Sequence, residues 1–429
     1  MNAQYDYSKK LALRMAVTTG LVFMLGATTV HSEVYTKAGV TIYTAPAQGV
    51  QPSRGEYASA VPRKLPVIDS AIMSAAKQKL KENMSTGKYG ASMGVPKVEA
   101  GFEGDGGTTP VYLGLPDPSA QATELLTKAP QQYGYFQHPF TTARADLSSL
   151  NSSTNNNVAT NTRYPYRATG KLYFGQDGIQ YMCSASLIKK GIVITAAHCV
   201  SEFGQNFKFN TFQFIPAFRK DIAPYGVWEA AAVYVNTSYL NGTSVCHPDA
   251  PGVVCDNDVA LIKLKPKTSS KYPNGYYAGT VAGTYGYALN GWGFTDLLGL
   301  QLVNASQVTQ LGYPYCLDEG KLMERTDSLG YMAPDLINNT VIGSWMCGGS
   351  SGGPWLNNFG IRPTLVSGEQ VPGSDSTSNV VMGVTSWGYV GEPGDPLLEE
   401  QGASPLTTKN MVGLINAACG KPVTDPACK

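Results

Sequence analysis

A run of nine residues, Met346–Pro354, constrains this chain more than any other stretch, because it places two serines among four glycines (MCGGSSGGP). Glycine loses the most conformational freedom on folding, so it is kept where the backbone bends sharply or passes close to another group. A tight turn suits a nucleophilic serine, because the backbone N–H groups of Gly349 and Ser351 then point at the oxygen that becomes negative during acyl transfer. A surface loop of glycine and serine is the alternative interpretation.

The same run fits a second pattern, Gly-x-Ser-x-Gly, through Gly349, Ser351 and Gly353. This pattern is the strand-to-helix turn that carries the nucleophile in α/β-hydrolases, and in those enzymes the catalytic histidine follows the serine in the chain. All histidines of this sequence precede Ser351; they are His31, His138, His198 and His247. The chain order therefore argues against an α/β-hydrolase.

An upstream histidine follows an apolar run. Residues Ile192–Ala197 are mostly β-branched or small, which is typical of a buried strand that delivers His198 at its end. A second apolar strand starts at Val259, and Asp258 directly precedes it, with Asp256 as the alternative carboxylate. The order histidine, aspartate, serine is that of the catalytic residues in chymotrypsin-type peptidases.

Five short motifs follow one another in the last three-fifths of the chain. They are Thr195-Ala196-Ala197-His198-Cys199, Asp258-Val259-Ala260-Leu261, Gly291-Trp292-Gly293, Ser350-Ser351-Gly352-Gly353-Pro354 and Ser386-Trp387-Gly388. In this order they resemble the motifs of the trypsin/chymotrypsin-like serine peptidase family. The stretch Leu311-Gly312-Tyr313-Pro314 is similar to the secreted bacterial branch of the family, which includes glutamyl endopeptidases.

The resemblance implies a catalytic role for three residues. Serine alone is a weak nucleophile and needs an adjacent base, so His198 would take the hydroxyl proton of Ser351 and pass it to the leaving amine. Asp258 would hold the other ring nitrogen and stabilise the imidazolium. Asp258 is preferred over Asp256 because it directly precedes the apolar strand, as in the family motif. Ser351 is preferred over Ser350 because only Ser351 is followed directly by Gly-Gly-Pro.

The resemblance also implies where substrate binds. The backbone N–H groups of Gly349 and Ser351 would form the oxyanion hole. The strand at Ser386, Trp387 and Gly388 would pair with the substrate backbone beside the specificity pocket.

Many short β-rich segments, separated by glycine, proline and asparagine, fill the chain from residue 164 to Val390 and predict an antiparallel all-β fold. The family resemblance implies two six-stranded antiparallel β-barrels side by side, with the active site in the cleft between them. A C-terminal helix is expected over Thr408–Ala418, and the barrels would be preceded by an irregular N-terminal region.

Residues 1–32 carry basic residues, then a short apolar stretch, then small residues. This pattern is typical of an export signal, and the apolar stretch is shorter than a spanning helix needs. An uncleaved membrane anchor is the alternative. Residues 33–163 are rich in glycine, proline, serine and threonine and end in a Ser/Asn/Thr-rich linker, so we expect a pro-segment or accessory region. A small independent binding domain is the alternative there. Residues 164–429 form the predicted peptidase domain.

All eight cysteines lie in the part that resembles the peptidase, and none forms a Cys-x-x-Cys pair. An even set of cysteines in an exported chain indicates disulfides. The spacing allows many connectivities; we expect sequence neighbours to pair, as Cys183–Cys199, Cys246–Cys255, Cys316–Cys347 and Cys419–Cys428. The first pair matches the family's bridge beside the catalytic histidine.

Two positions depart from the family pattern. Ser350 stands where trypsin-like enzymes usually carry the aspartate that pairs with a freshly cut N-terminus, which argues against activation by that ion pair. Trp345, six residues before Ser351, stands where trypsin holds an acidic residue. A preference for cleavage after lysine or arginine is therefore disfavoured, and the absence of a histidine after His247 argues against a glutamyl preference.

The sequence thus predicts a secreted or periplasmic serine endopeptidase that acts on proteins or peptides through an acyl-enzyme and has no stable membrane association after signal cleavage. A catalytically inactive exported binding protein with the same fold is the alternative, and an esterase is a third interpretation. No set of metal ligands stands out, and this chemistry needs no cofactor. The formal net charge is +1 with no basic stripe, so nothing indicates a nucleic-acid partner.

Overall fold

The computed structural model describes residues 33–45, 54–65, 111–112, 131–134, 139–145, 160–176, 178–207, 209–247, 250–251, 257–296, 304–333, 339–360, 377–388 and 400–429. Strands dominate this part of the chain. The expected export signal at 1–32 and the alternative carboxylate Asp256 lie outside the described residues.

The strands, in chain order, are β1 (Val34–Lys37), β2 (Val40–Thr44), β3 (Val61–Pro62), β4 (Val111–Tyr112), β5 (Gln131–Gly134), β6 (Phe140–Arg144), β7 (Thr169–Gln176), β8 (Ile179–Lys189), β9 (Ile192–Thr195), β10 (Asn210–Pro216), β11 (Ile222–Ala223), β12 (Trp228–Asn236), β13 (Val245–His247), β14 (Ala250–Pro251), β15 (Ala260–Leu264), β16 (Gly286–Tyr287), β17 (Thr295–Asp296), β18 (Asn304–Gly312), β19 (Glu324–Ala333), β20 (Asn339–Gly343), β21 (Pro354–Asn357), β22 (Val380–Gly388) and β23 (Glu400–Pro405). The helices are α1 (Arg54–Ala58), α2 (Thr237–Leu240), α3 (Ala278–Ala282) and α4 (Thr408–Cys419).

Six strands of the first sheet pair antiparallel in a closed ring, in the order β7-β8-β9-β15-β12-β10. Large apolar side chains recur at every second residue in β7 and β10, so they lie on one face. Leu172 and Phe174 in β7 and Phe212 and Phe214 in β10 are fully buried. Burial of such side chains contributes about 1.5–3 kcal/mol each to folding, which makes this interior the main support of the first barrel.

The second sheet repeats the arrangement with β18-β21-β22-β23-β20-β19, again antiparallel at each contact of the ring. Its inner cluster contains five buried apolar side chains; they are Val308, Ile342, Trp355, Met382 and Ala403. The two sheets confirm the predicted all-β fold with two barrels.

The region 33–163 adds strands to both sheets where the structure describes it. Strands β1 and β2 extend the first sheet, with Ile42 opposite Tyr234 of β12. Strand β3 pairs in parallel with β8. Strands β5 and β6 extend the second sheet, with Thr142 opposite Thr326 of β19. Val40, Ile42 and Phe140 are buried, so these pieces belong to the barrels rather than to the irregular segment that their glycine- and proline-rich surroundings indicate.

The C-terminal helix α4 confirms the expectation for Thr408–Ala418 and extends it by one residue. It begins with a reciprocal cap, in which Thr407 Oγ1 accepts from the Asn410 N–H at 3.2 Å and Asn410 Oδ1 accepts from the Thr407 N–H at 2.8 Å. Such a cap satisfies two backbone donors at the helix start. Met411 and Leu414 are fully buried on its inner face. No helix among the described residues is both long enough and apolar enough to span a bilayer.

Three disulfides join the cysteine pairs Cys183–Cys199, Cys316–Cys347 and Cys419–Cys428, which confirms the expected pairing of these six residues. The first ties strand β8 to the turn that carries His198. The second links Cys347, in the glycine-rich run, to Cys316, which follows the end of β18 at Gly312. The expected pair Cys246–Cys255 lies outside the residues whose side chains are described.

Candidate active site

His198 is presented by strand β9, which lies between β8 and β15 in the first barrel. The four residues of β9 are fully buried, and the chain then turns through a short 3₁₀ segment, Ala197–Cys199. Cys199 in this segment is bonded to Cys183 of β8. The strand and the disulfide together fix the turn, so His198 has little freedom to move; its side chain is 2 % exposed.

Asp258 lies two residues before β15 and is fully buried beside His198. Its Oδ1 accepts a hydrogen bond from the His198 backbone N–H at 2.8 Å, and its Oδ2 lies 2.8 Å from His198 Nδ1. Ser386 Oγ donates to the same Oδ2 at 2.6 Å. A carboxylate only accepts hydrogen bonds, so Nδ1 carries the ring hydrogen and Nε2 is left as an acceptor.

The glycine-rich run passes close to the backbone of β8 and β9. A side chain on Gly352, whose φ is +76°, would lie 2.6 Å from the Ser184 carbonyl oxygen and 2.8 Å from the Ala196 nitrogen. The Ser184 N–H donates to the Ser351 carbonyl oxygen at 2.8 Å. These contacts require glycine at position 352, and they place Ser351 beside the turn that carries His198.

The two serines of the run have different hydroxyl environments. Ser350 Oγ donates to the Cys347 carbonyl oxygen at 2.7 Å. Ser351 Oγ is buried without a hydrogen-bond partner among the described residues, and the same holds for His198 Nε2. Buried polar atoms are nearly always hydrogen-bonded, and a catalytic role is one explanation for an exception. The Ser351 hydroxyl can therefore donate a hydrogen bond and His198 Nε2 can accept one, and neither group is hydrogen-bonded among the described residues.

Gly349 is the second position of the run that requires glycine. Its φ is +97°, and a side chain there would lie 2.6 Å from the Tyr313 carbonyl oxygen. Its backbone N–H, expected to point at a developing oxyanion, donates to the carbonyl oxygen of Arg63 at 3.0 Å. The donor is thus already in use by the chain itself.

The predicted substrate-binding strand, Ser386, Trp387 and Gly388, forms the end of β22. Ser386 also contacts Asp258, a role that the family motif did not indicate. Trp387 is fully buried and its indole lies against Gly402 of β23. A side chain on Gly388 would lie 2.9 Å from Leu65 Cδ1, so Leu65 occupies the space beside this strand.

Ser184 also belongs to this site, although none of the sequence motifs includes it. Its Oγ donates to the Gly349 carbonyl oxygen at 2.8 Å and accepts from the Tyr313 N–H at 2.9 Å. The Ser184 hydroxyl therefore links the backbone of the glycine-rich run at Gly349 to the backbone of Tyr313. Its position directly after Cys183, in the strand that carries the disulfide, was the available signal.

One group of potential metal ligands lies at this site: Cys183, His198 and Cys199. The two cysteines form a disulfide, so they offer no thiolates. Zinc and other soft metals bind the deprotonated thiolate, and this trio therefore does not form a metal centre.

Two sequence comparisons place this chain among known proteins. The sequence profile of the family described as Trypsin matches residues 155–397, more than half of the chain. A trypsin from Squalus acanthias is 27 % identical over 225 residues, which cover 49 % of this chain and 75 % of that protein.

Solved structures also align with this chain. The protease Anisep from Arthrobacter nicotinovorans covers 59 % of this chain and 95 % of its own, at 23 % identity and a TM-score of 0.43. The alignment with a Glu endopeptidase covers 60 % of this chain and 93 % of that protein's chain, at 17 % identity and a TM-score of 0.38.

Proposed function

Because the chain belongs to the trypsin family of serine endopeptidases, we propose that it hydrolyses peptide bonds in proteins or peptides through His198, Asp258 and Ser351. One observation carries this proposal. A buried histidine is held at Nδ1 by a buried carboxylate and has no partner at Nε2 among the described residues; the buried hydroxyl of Ser351, on the run that contacts the strand leading to His198, has none there either.

In the proposed reaction, His198 Nε2 removes the proton of Ser351 Oγ as that oxygen attacks the peptide carbonyl carbon. The C–N bond of the resulting tetrahedral intermediate then breaks, and His198 returns the proton to the leaving amine. Water repeats the sequence on the acyl-enzyme and releases the acid. Asp258 stabilises the imidazolium that forms in each half; its Oδ2 holds the ring at Nδ1, and its Oδ1 holds the His198 backbone N–H.

The backbone N–H groups of Gly349 and Ser351 would stabilise the oxyanion of the intermediate. The left-handed backbone at Gly349 supports this assignment, because it orients an N–H that a residue with a side chain would rarely present. The end of β22 at Ser386, Trp387 and Gly388 would hold the substrate backbone, and its direct contact with Asp258 supports a position at the reacting centre.

We also propose that the chain is exported and made as a zymogen. Residues 1–32 would be the export signal, 33–163 would contain the pro-segment, and 164–429 would be the peptidase domain, with strands of region 33–163 added to its barrels. The three disulfides support export to a secreted or periplasmic location, because such bonds persist in oxidising compartments.

A fluorophosphonate probe tests the proposal, because it reacts covalently with an activated serine. The probe is applied to the full chain and to the trimmed protein, defined as the chain cut on both sides of residues 54–65 at introduced sites for a sequence-specific protease. We expect the trimmed protein to be labelled, Ser351→Ala to remove the labelling, and Ser350→Ala to retain it.

Ser350→Ala is the matched control, because it removes a neighbouring hydroxyl of the same run. Labelling that survives Ser351→Ala would assign the nucleophile elsewhere. A trimmed wild-type protein that folds and stays unlabelled would favour the catalytically inactive binding protein.

A further inference from the structure

A short piece of the N-terminal region, Ala60–Leu65, lies across the candidate active site; we name it the strap. It begins at strand β3, which pairs in parallel with β8 through Val61 opposite Tyr181 and Pro62 opposite Met182. It ends at Leu65, which is 3 % exposed and touches the backbone of Gly388 in β22. The strap therefore spans from the first barrel to the predicted substrate-binding strand of the second.

The backbone N–H and the carbonyl oxygen of Arg63 both form hydrogen bonds. Its N–H donates to the Met182 carbonyl oxygen at 3.0 Å, and its carbonyl oxygen accepts from the Gly349 N–H at 3.0 Å. The adjacent Gly348 lies so close that a side chain there would be 2.8 Å from the Arg63 oxygen. A substrate carbonyl that needs the Gly349 N–H must first displace Arg63.

Side chains anchor the strap at its centre. The Arg63 guanidinium lies 2.8 Å from Glu202 Oε1 and 5.1 Å from the centre of the Phe209 ring, and the side chain is largely buried. An ion pair that also stacks on an aromatic ring is stronger than a solvated surface pair. Lys64, the next residue, is exposed, and its Cα would lie 3.5 Å from a side chain on Gly348.

Helix α1, directly before the strap, adds a second anchor. The Tyr57 ring packs edge-on against Tyr173 of β7 with a centroid distance of 5.0 Å, and its hydroxyl donates to Gln213 of β10. Tyr57 is 5 % exposed. The strap is therefore bound at both ends and at Arg63.

The covered site has the exposure expected of a blocked one. Ser351 is fully buried, His198 is 2 % exposed, and Leu65 fills the space beside Gly388 that a substrate strand would need. We propose that the strap is an intramolecular inhibitor of this site, with the Arg63 carbonyl oxygen in the oxyanion hole and Leu65 against the substrate-binding strand. The inference rests on the proposed function of Gly349, Ser351 and Ser386–Gly388.

The test measures the rate of fluorophosphonate labelling at Ser351 in the full chain. Arg63→Glu places a second carboxylate opposite that of Glu202, so we expect labelling to accelerate about 10-fold or more over the wild type. Lys64→Glu makes the same change of charge at the exposed neighbour, and we expect its rate to stay within about 2-fold of wild type. The double variant Arg63→Glu/Glu202→Arg restores the opposite charges and should return labelling toward the slow rate.

Leu65→Asp provides an independent variant, because it removes the apolar contact without touching the ion pair. We expect it to accelerate labelling as well, and thermal unfolding of each variant verifies that the barrels remain folded. Trimming should raise the wild-type rate to that of the released variants or above it.

Three results would overturn the inhibitor proposal. A wild-type full chain that is labelled as fast as the trimmed protein would show that the strap does not block the site. Folded Arg63→Glu and Leu65→Asp variants that stay slow while the trimmed protein is fast would place the block elsewhere. Accumulation of a chain cut between Arg63 and Lys64, in wild type but not in Ser351→Ala, would make the strap a substrate. In each case Ser351 still reacts, so the proposed function stands; a trimmed protein without any labelling would remove both.

Discussion

At the scale of single residues, the environment of Asp258 determines how His198 is held. The carboxylate is fully buried and accepts three hydrogen bonds, two from His198 and one from Ser386. A charged group buried in this way depends on its donors, because each lost partner leaves an unpaired acceptor away from water. The arrangement fixes both the orientation and the tautomer of the ring.

We therefore expect Asp258→Asn to lower kcat of the trimmed protein about 10⁴-fold, the size of the effect when a wrong histidine tautomer is imposed in a Ser-His-Asp arrangement. Steady-state hydrolysis of a peptide substrate measures it. Ser386→Ala removes one donor and leaves the carboxylate, so its loss should be much smaller. An Asp258→Asn protein with nearly wild-type kcat would show that Asp258 does not hold the ring during catalysis.

A second residue, Glu324 in β19, links burial to pH. Burial, followed by the neighbouring Asp318, raises the pKa of Glu324 from 4.5 to about 10, against the opposing effect of Arg144. Between pH 4.5 and about 10, the folded protein therefore holds a proton on Glu324 that the unfolded chain has already lost. The contribution of Glu324 to stability is complete below the lower value and is lost as the pH rises.

Glu324→Gln keeps the shape of the neutral group and removes its titration. We expect the variant to gain free energy of unfolding relative to wild type as the pH rises from about 5 to about 9, as measured by urea unfolding. Glu319→Gln, at an exposed side chain, should follow the wild type. A difference between Glu324→Gln and wild type that shrinks with rising pH would contradict the assignment.

At the scale of elements, strands β1 and β2 complete the edge of the first barrel. Strand β2 pairs with β12 over five residues, from Val40 opposite Asn236 to Thr44 opposite Ala232. Ile42 is 3 % exposed in this strand, whereas Val34 in β1 is 55 % exposed. In this hairpin β2 is buried between β12 and the exposed strand β1.

Ile42→Ala should cost about 2–5 kcal/mol of unfolding free energy, because it deletes buried methyl and methylene groups. Val34→Ala truncates an exposed side chain of the same hairpin, and its effect should stay within about 0.5 kcal/mol. Urea titration of both variants measures the difference. Equal, small effects would mean that the hairpin is not part of the folded barrel.

The sequence predicts some elements and misses others for identifiable reasons. The run around Ser351 was found because glycine marks close backbone approach, and Gly352 does lie against Ser184 and Ala196. The hairpin was missed because each of its strands has five residues or fewer and stands among turn-forming residues, so an alternating pattern is too short to be distinctive.

The strap was missed for a different reason. Its central contact uses the carbonyl oxygen of Arg63, and every residue carries such a group, so no side-chain pattern marks it. The hydrogen bond from Ser386 to Asp258 was also hidden, because it joins residues 128 positions apart. Only the tertiary structure brings these groups together.

At the scale of the whole molecule, the N-terminal region is tied into both barrels without a disulfide. Strand β2 lies on β12 and β6 lies on β19, while no cysteine precedes Cys183. Backbone hydrogen bonds, side-chain burial and the Arg63–Glu202 ion pair therefore hold residues 33–65, and no covalent bond crosses from them to the peptidase domain other than the chain itself.

A single cut between residues 66 and 110 should therefore leave the N-terminal fragment attached. We expect both pieces to elute together from a native size-exclusion column and to separate in denaturant without reductant. Ile42→Ala should weaken the association of the fragment. Separation of the pieces under native conditions in the otherwise wild-type chain would contradict the observed pairing.

The central claim is that His198, Asp258 and Ser351 act as one catalytic unit, and the kinetics of combined variants test it most directly. The measurement is kcat for a peptide substrate, made on the trimmed protein and on its variants. The variants are Ser351→Ala, His198→Ala and the triple variant Ser351→Ala/His198→Ala/Asp258→Ala. Groups that act as a unit are strongly non-additive, so each of the first two changes alone should cost about 10⁶-fold and the triple variant should be no slower. Single losses that multiply in the triple variant, or a Ser351→Ala protein that retains wild-type turnover, would contradict the account.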